Sequence, residues 1–285
     1  MWRKALQYGI KTGSRQWRVT GIVYFLQFCL ALTIGMQVYE VLQASIGSSL
    51  EVNKLMSGYD HTVITDFLKV HGASVSPLIG QMRWILLVWL LFSVFINGGL
   101  LYCADNPEEA KASVFWKTGA WLFFPYLKIA LLFLAFAALL VAAFFLPLAA
   151  AFQPAIQYFP SEVYFVWICF LSIFLVFLGL AKLFIMSVLS RFHYLRNRDS
   201  VFKSVLYAFK QFRRNWKRYL GVMLVFGVMQ LFLLGVYMFI EAFTGMRSPL
   251  LILFVFLIQQ AFAFVRVLVR QMMYTSLAHL SRETA

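Results

Sequence analysis

Acidic residues are scarce in this chain: 11 Asp and Glu stand against 25 Lys and Arg in 285 residues, a net charge of +14. Charged residues of both signs make up 13%, about half the share that a water-soluble domain carries. With 62% of residues hydrophobic, so little charge excludes a water-soluble fold. Cysteine is scarcer still. Cys29, Cys103 and Cys169 are odd in number and none has a CxxC partner. That excludes a disulfide framework and a zinc ribbon, and they read as apolar thiols. Also missing are a P-loop, HExxH, GxSxG and paired carboxylates within the apolar runs. An enzyme is therefore not expected, and no cofactor is. His61 and His71, with Asp60 and Asp66, do not share a face at ligand spacing, so no metal site is expected either. The positive charge comes without a nucleic-acid recognition motif, so nucleic acid is not expected as a partner.

What is present is six long apolar runs, with a mean hydropathy of +0.79 over the whole chain. A membrane span needs about 20 apolar residues, and only helices or closed barrels satisfy every backbone group in hydrocarbon. Short alternating strands are absent. The fold class is thus an all-α membrane protein of six transmembrane helices, forming one polytopic domain over 1–285. The expected spans are 19–42, 83–103, 125–147 (stopped by Pro147), 162–190, 219–241 and 250–275. The basic lead Arg3, Lys4, Lys11, Arg15, Arg18 precedes a run too long for a signal-peptide core, so the first span reads as an anchor.

Lysine and arginine set the orientation. With both termini inside, 17 of the 25 basic residues fall in inner segments and 4 in outer ones, which predicts N-in, C-in by the positive-inside rule. The basic inner loop 191–218 holds nine of them. The outer loop 43–82 is the only sizeable one. Within it Asp60 is placed to cap a short helix to about His71, with Gly72 and Pro77 as stops. The other outer loops, around Phe152–Ser161 and Thr244–Pro249, read as short turns.

Three parallel helical-hairpin repeats are a further expectation, each an amphipathic inner segment, an outward helix and a returning helix. Ser-Val-Phe opens two of the units, at Ser113 and Ser200, and Tyr126-Leu127 and Tyr219-Leu220 begin their outward helices. In 201–212, Val201, Val205, Leu206, Phe209 and Phe212 share a helical face. The surrounding Lys203, Lys210, Arg213, Arg214, Lys217 and Arg218 make this a basic amphipathic cytoplasmic helix. It is a candidate surface for the membrane or for a protein partner.

Charges within spans are costly, and each is a functional candidate. Lys128, Lys182, Arg266 and Arg270 fall near one plane, the inner headgroup level. Gln259, Arg266, Arg270 and Tyr274 are spaced 7, 4 and 4, so they lie on one helix face, with Ala263 between them and Gln230 within reach from the fifth span. One reading is an anion- or lipid-binding seam, because the arginine fork binds phosphate. The other is snorkelling with interhelical hydrogen bonds. Asn97-Gly98-Gly99 marks a close helix approach or a kink.

The region Arg191 to Arg270, with its basic linker Ser200–Arg218 and the Arg266–Arg270 pair, resembles a diffuse group of uncharacterised bacterial multi-pass membrane proteins. Tyr59-Asp60-His61-Thr62-Val63 is similar to that group as well. The resemblance implies a six-helix fold in the bacterial cytoplasmic (inner) membrane and brings no known activity. Two functions stay open. One is a non-catalytic subunit or scaffold that binds a partner or anionic lipid at the cytoplasmic face. The other is a transporter or lipid-handling protein that uses the Arg266/Arg270 seam.

Overall fold

The computed structural model describes residues 2–46, 61–158, 162–244 and 248–284. Within them the backbone is helical almost throughout. Eight α-helices follow in order: α1 (Trp2–Ser14), α2 (Trp17–Ile46), α3 (His61–Asp105), α4 (Ala112–Trp121), α5 (Phe123–Tyr158), α6 (Glu162–Asn197), α7 (Val201–Thr244) and α8 (Pro249–Glu283). A 3₁₀ turn, Pro107–Glu109, joins α3 to α4. Six of the helices, α2, α3 and α5 to α8, are long and apolar enough to cross a membrane.

The packed core lies at one end of the bundle, the end that holds both chain termini. Its fully buried side chains include Leu100, Phe115, Tyr126, Ile185, Tyr219, Phe226 and Leu277. Toward the other end the helices turn large apolar side chains outward, among them Trp167, Phe170, Leu231, Phe239 and Phe243. In water this would be ruinous. In a bilayer it costs little, because lipid tails are as apolar as leucine.

Small residues set the closest approaches. α1 lies along the last part of α8, with Ala5, Gly9 and Gly13 facing it four residues apart. A β-carbon on Gly9 would lie 1.8 Å from Ser276 Oγ, and one on Gly13 would lie 2.7 Å from the Met272 Cα. The Tyr8 ring then stacks near His279, with centroids 4.4 Å apart. α3 and α4 meet in the same manner. Gly98 faces Gly119, and a β-carbon on Gly99 would lie 2.4 Å from the Phe115 ring. The Asn97-Gly98-Gly99 stretch is thus a close approach with no break in α3.

Several expected boundaries shift. α3 runs unbroken from His61 to Asp105, so neither Gly72 nor Pro77 stops it, and the outer loop 43–82 is largely helix from His61 on. α5 continues through Pro147 and Pro154 to Tyr158, so residues 152–158 are helix and not a turn. A long helix continues through a proline where local adjustment and neighbouring side chains satisfy the freed backbone groups. Asp60 and the side chains of His61, Asp66 and His71 lie outside the described residues.

α6 ends where Arg198 adopts a left-handed φ of 54°, and its N–H caps the Tyr194 carbonyl at 2.9 Å. α7 then starts behind Ser200 and breaks once, at Asn215, with φ −129° and ψ 25°. That break separates the basic segment 201–214 from the apolar remainder.

The expected apolar stripe of this segment divides. Ser204, Ala208, Gln211 and Phe212 are buried against the bundle, with Val201 and Val205 packed beside them. Leu206 and Phe209 of the expected stripe instead point outward, beside Phe202, which the stripe did not include and which is 73% exposed. The stripe contains two faces about a quarter-turn apart, and only one can dock.

Candidate functional site

α8 brings three polar side chains to one cavity of the bundle. Gln259, Ala263, Arg266 and Arg270 follow one another down the helix, and all four line a cavity of about 740 Å³ between α7 and α8. Gln230 enters it from α7, as expected, with Gly227, Met223 and Phe226. Gln27 of α2, Trp89 of α3 and Phe184 of α6 complete the wall. From Gln259 to Met273 the cavity follows α8 for about 21 Å. Arg266 and Arg270 stand about 24 and 30 Å along α8 from Leu250, at the depth where the hydrocarbon core of about 30 Å ends. The cavity therefore has a cationic mouth, and three amides, Gln27, Gln230 and Gln259, interrupt its otherwise apolar walls.

The two arginines are held differently. Arg270 is partly buried. It donates from Nε to the Tyr274 hydroxyl at 3.1 Å and from Nη2 to Asn97 Oδ1, and the Tyr274 hydroxyl donates to the same oxygen at 3.3 Å. Both acceptors are neutral, so Arg270 is fixed in place but its charge is not offset. Arg266 is exposed, with no ion pair among the described residues. Tyr274 is buried in the packed core and does not line the cavity. Lys128 and Lys182 are exposed and also stand apart from it. The proposed plane of four cations is thus two arginines in a cavity and two lysines on the outer surface. Lys203, Lys210, Arg213, Arg214, Lys217 and Arg218 are all exposed on α7.

Below the mouth lies a polar layer that the sequence concealed. Gln16, in the α1–α2 junction, donates to the Cys103 carbonyl at 2.9 Å and accepts from Gln271. Asp105 ends α3 and accepts from both Arg196 and Arg282. Arg196 also donates to the Ala278 carbonyl at 3.0 Å, and Arg282 to the Asp105 carbonyl. This Arg–Asp–Arg cluster ties α3, α6 and α8 together.

Arg191 is the other surprise. Counted by sequence among the loop cations, it is buried, at 9% exposure. Its guanidinium lies 5.7 Å over the Tyr126 ring, and its Nε has no partner. A signal was available: Phe192, Tyr194 and Leu195 carry the apolar run past Arg191, so the span does not end at 190.

Chemically, the cavity offers cations at one end, amides along its length and aromatic, aliphatic and thioether surface between them. That composition suits one elongated ligand with an anionic head. No group of three metal-ligating side chains occurs among the described residues. No protein-family model, curated protein or solved structure matches the chain.

Proposed function

We propose that this protein is a lipid-handling membrane protein that binds an anionic amphiphile in the cavity between α7 and α8. The observation that carries this is the pairing of Arg266 and Arg270, which form no ion pair among the described residues, at the mouth of a largely apolar cavity of about 740 Å³. Positive charge that is partly buried without a carboxylate, as at Arg270, is costly, and a lipid phosphate bound by the guanidinium forks offsets that cost. The acyl chains then follow the apolar wall toward Gln259. Native mass spectrometry of the gently extracted protein tests this. The wild type retains an anionic phospholipid, and Arg266→Gln, at an exposed position, loses it while still inserting and eluting as one species. Equal retention by the variant overturns the reading.

A scaffold role at the same end has support of its own in the outward stripe of α7. Phe202, Leu206 and Phe209, flanked by Lys203, Lys210, Arg213 and Arg214, have the make-up of a helix lying in the headgroup plane. Neutralising those four cations removes a copurifying partner, if that role holds, and leaves the cavity lipid in place.

Both proposals set the termini, and with them the mouth of the cavity, at the cytoplasmic leaflet of a bacterial inner membrane. The 17-to-4 distribution of basic residues supports this orientation. Three related hairpins are proposed as well. Tyr126 bonds the Arg191 carbonyl and Tyr219 bonds Thr284, and both links span 65 residues. Each tyrosine is wholly buried near the start of its outward helix.

A further inference from the structure

The interior near the termini is short of negative charge. Among the described residues Arg191 and Asp105 are the two charged side chains in the buried core. Asp105 is already held by two arginines, Arg196 and Arg282. It has nothing left to offer Arg191, for which no carboxylate lies within ion-pair distance among the described residues. Arg191 nevertheless lies within electrostatic reach of Arg270 and of Tyr274. It does not line the cavity, and neither does Tyr274; its tie to the cavity runs through Arg270, which does. Its aromatic contact with Tyr126 softens the cost of burial but supplies no counter-charge.

Arg191 thus adds a third guanidinium behind the pair that lines the cavity, linked to that pair through Arg270, whose own partners Asn97 and Tyr274 are neutral. A headgroup with a single negative charge offsets one of the three. A phosphate monoester carries close to two charges above its second ionisation, near about pH 6. From this excess we infer that the cavity selects a lipid with a phosphomonoester headgroup over one with a phosphodiester, and that Arg191 is the positioning charge that makes the selection. The inference rests on the cavity being a lipid site. Arg266 and Arg270 touch the phosphate; Arg191 acts through the field, which water does not screen at a buried position.

The test is native mass spectrometry titration of the whole protein in neutral detergent. The probes are phosphatidic acid and phosphatidylglycerol with matched acyl chains. At pH 8 the wild type holds phosphatidic acid about tenfold more tightly, a difference of about 1.4 kcal/mol. The preference fades toward pH 5 as the headgroup loses its second charge. Arg191→Gln removes both the preference and its pH dependence but still binds phosphatidylglycerol, and Arg191→Lys, which keeps the charge, retains the preference. A wild type that does not distinguish the two lipids at pH 8 overturns the inference, as does an Arg191→Gln variant with the preference intact. Failure of the cavity reading looks different: neither lipid is retained, or Arg266→Gln leaves phosphatidylglycerol binding untouched. Millimolar inorganic phosphate leaves the bound lipid in place; displacement would make this a site for free phosphate and overturn the lipid assignment.

Discussion

Asp105 shows what a single side chain does in this fold. It is 3% exposed and meets Arg196 and Arg282 at once. A paired charge in a low-dielectric interior is tolerable, and removing one partner leaves the others stranded. Asp105→Asn keeps the shape but strands Arg196, whose fork holds the α3 end and the Ala278 carbonyl together. The expected loss is about 3 kcal/mol, read as a lowered thermal midpoint in detergent. An unchanged midpoint would make the cluster a surface ornament. The sequence gives no hint of this partnership, because Asp105 and Arg282 are 177 positions apart and Asp105 lies beside a short acidic turn that reads as solvated. Asn97 was hidden for a similar reason. Its neighbours Gly98 and Gly99 drew attention to the backbone, while its side chain accepts from Arg270.

At the scale of elements, α1 is the most exposed to a simple perturbation. It is short, and an isolated helix of its length is marginal in water. It persists because Ala5, Gly9 and Gly13 let its backbone settle against Ser276 and Met272. Gly9→Leu places a side chain where Ser276 and the Met272 carbonyl already stand, so α1 leaves α8. Trypsin then cuts at Lys4, Lys11 and Arg15, whose side chains are exposed but whose backbone the docked helix holds out of a protease's reach in the wild type, and the six spanning helices stay intact. Equal cleavage of both proteins would contradict the docking. The spanning helices themselves were legible in the sequence, since apolar length is a strong signal. Their ends were not. Pro77 and Pro147 read as stops by rules learned in water, and α3 and α5 run through them. The face of 201–212 was half legible: periodicity identifies an apolar stripe, but only the neighbours decide that Phe212 docks while Phe209 turns outward. The two Ser-Val-Phe tripeptides stand at different places in their helices: Ser200 precedes α7 and caps it at 3.4 Å, whereas Ser113 lies inside α4. On the seam, the spacing of Gln259, Arg266 and Arg270 was readable and the cavity opposite them was not, because its other walls come from α2, α3, α6 and α7.

For the whole molecule, six spans and a docked α1 put both termini at one end, with the basic surface of α7. Position 248, at the start of α8, belongs to the other end. Lys111→Cys and Ser248→Cys, each in a background without Cys29, Cys103 and Cys169, are expected to react with a membrane-impermeant maleimide from opposite sides, Lys111→Cys only once the membrane is opened. Labelling of both from the same side would break the threading. The same architecture explains where a ligand can sit. The helices bury their side chains near the termini and expose them toward the other end, which on the proposed reading gives lipid lateral access to the cavity while Asn97 and Tyr274 hold Arg270 at its mouth. The most direct measurement is a cryo-electron microscopy map of the protein in a nanodisc containing anionic lipid. The expected map shows one ordered lipid between α7 and α8, its phosphate at Arg266 and Arg270 and a tail running toward Gln259. A map in which those helices close on each other, or in which lipid is no better ordered there than around the rest of the bundle, would contradict the account.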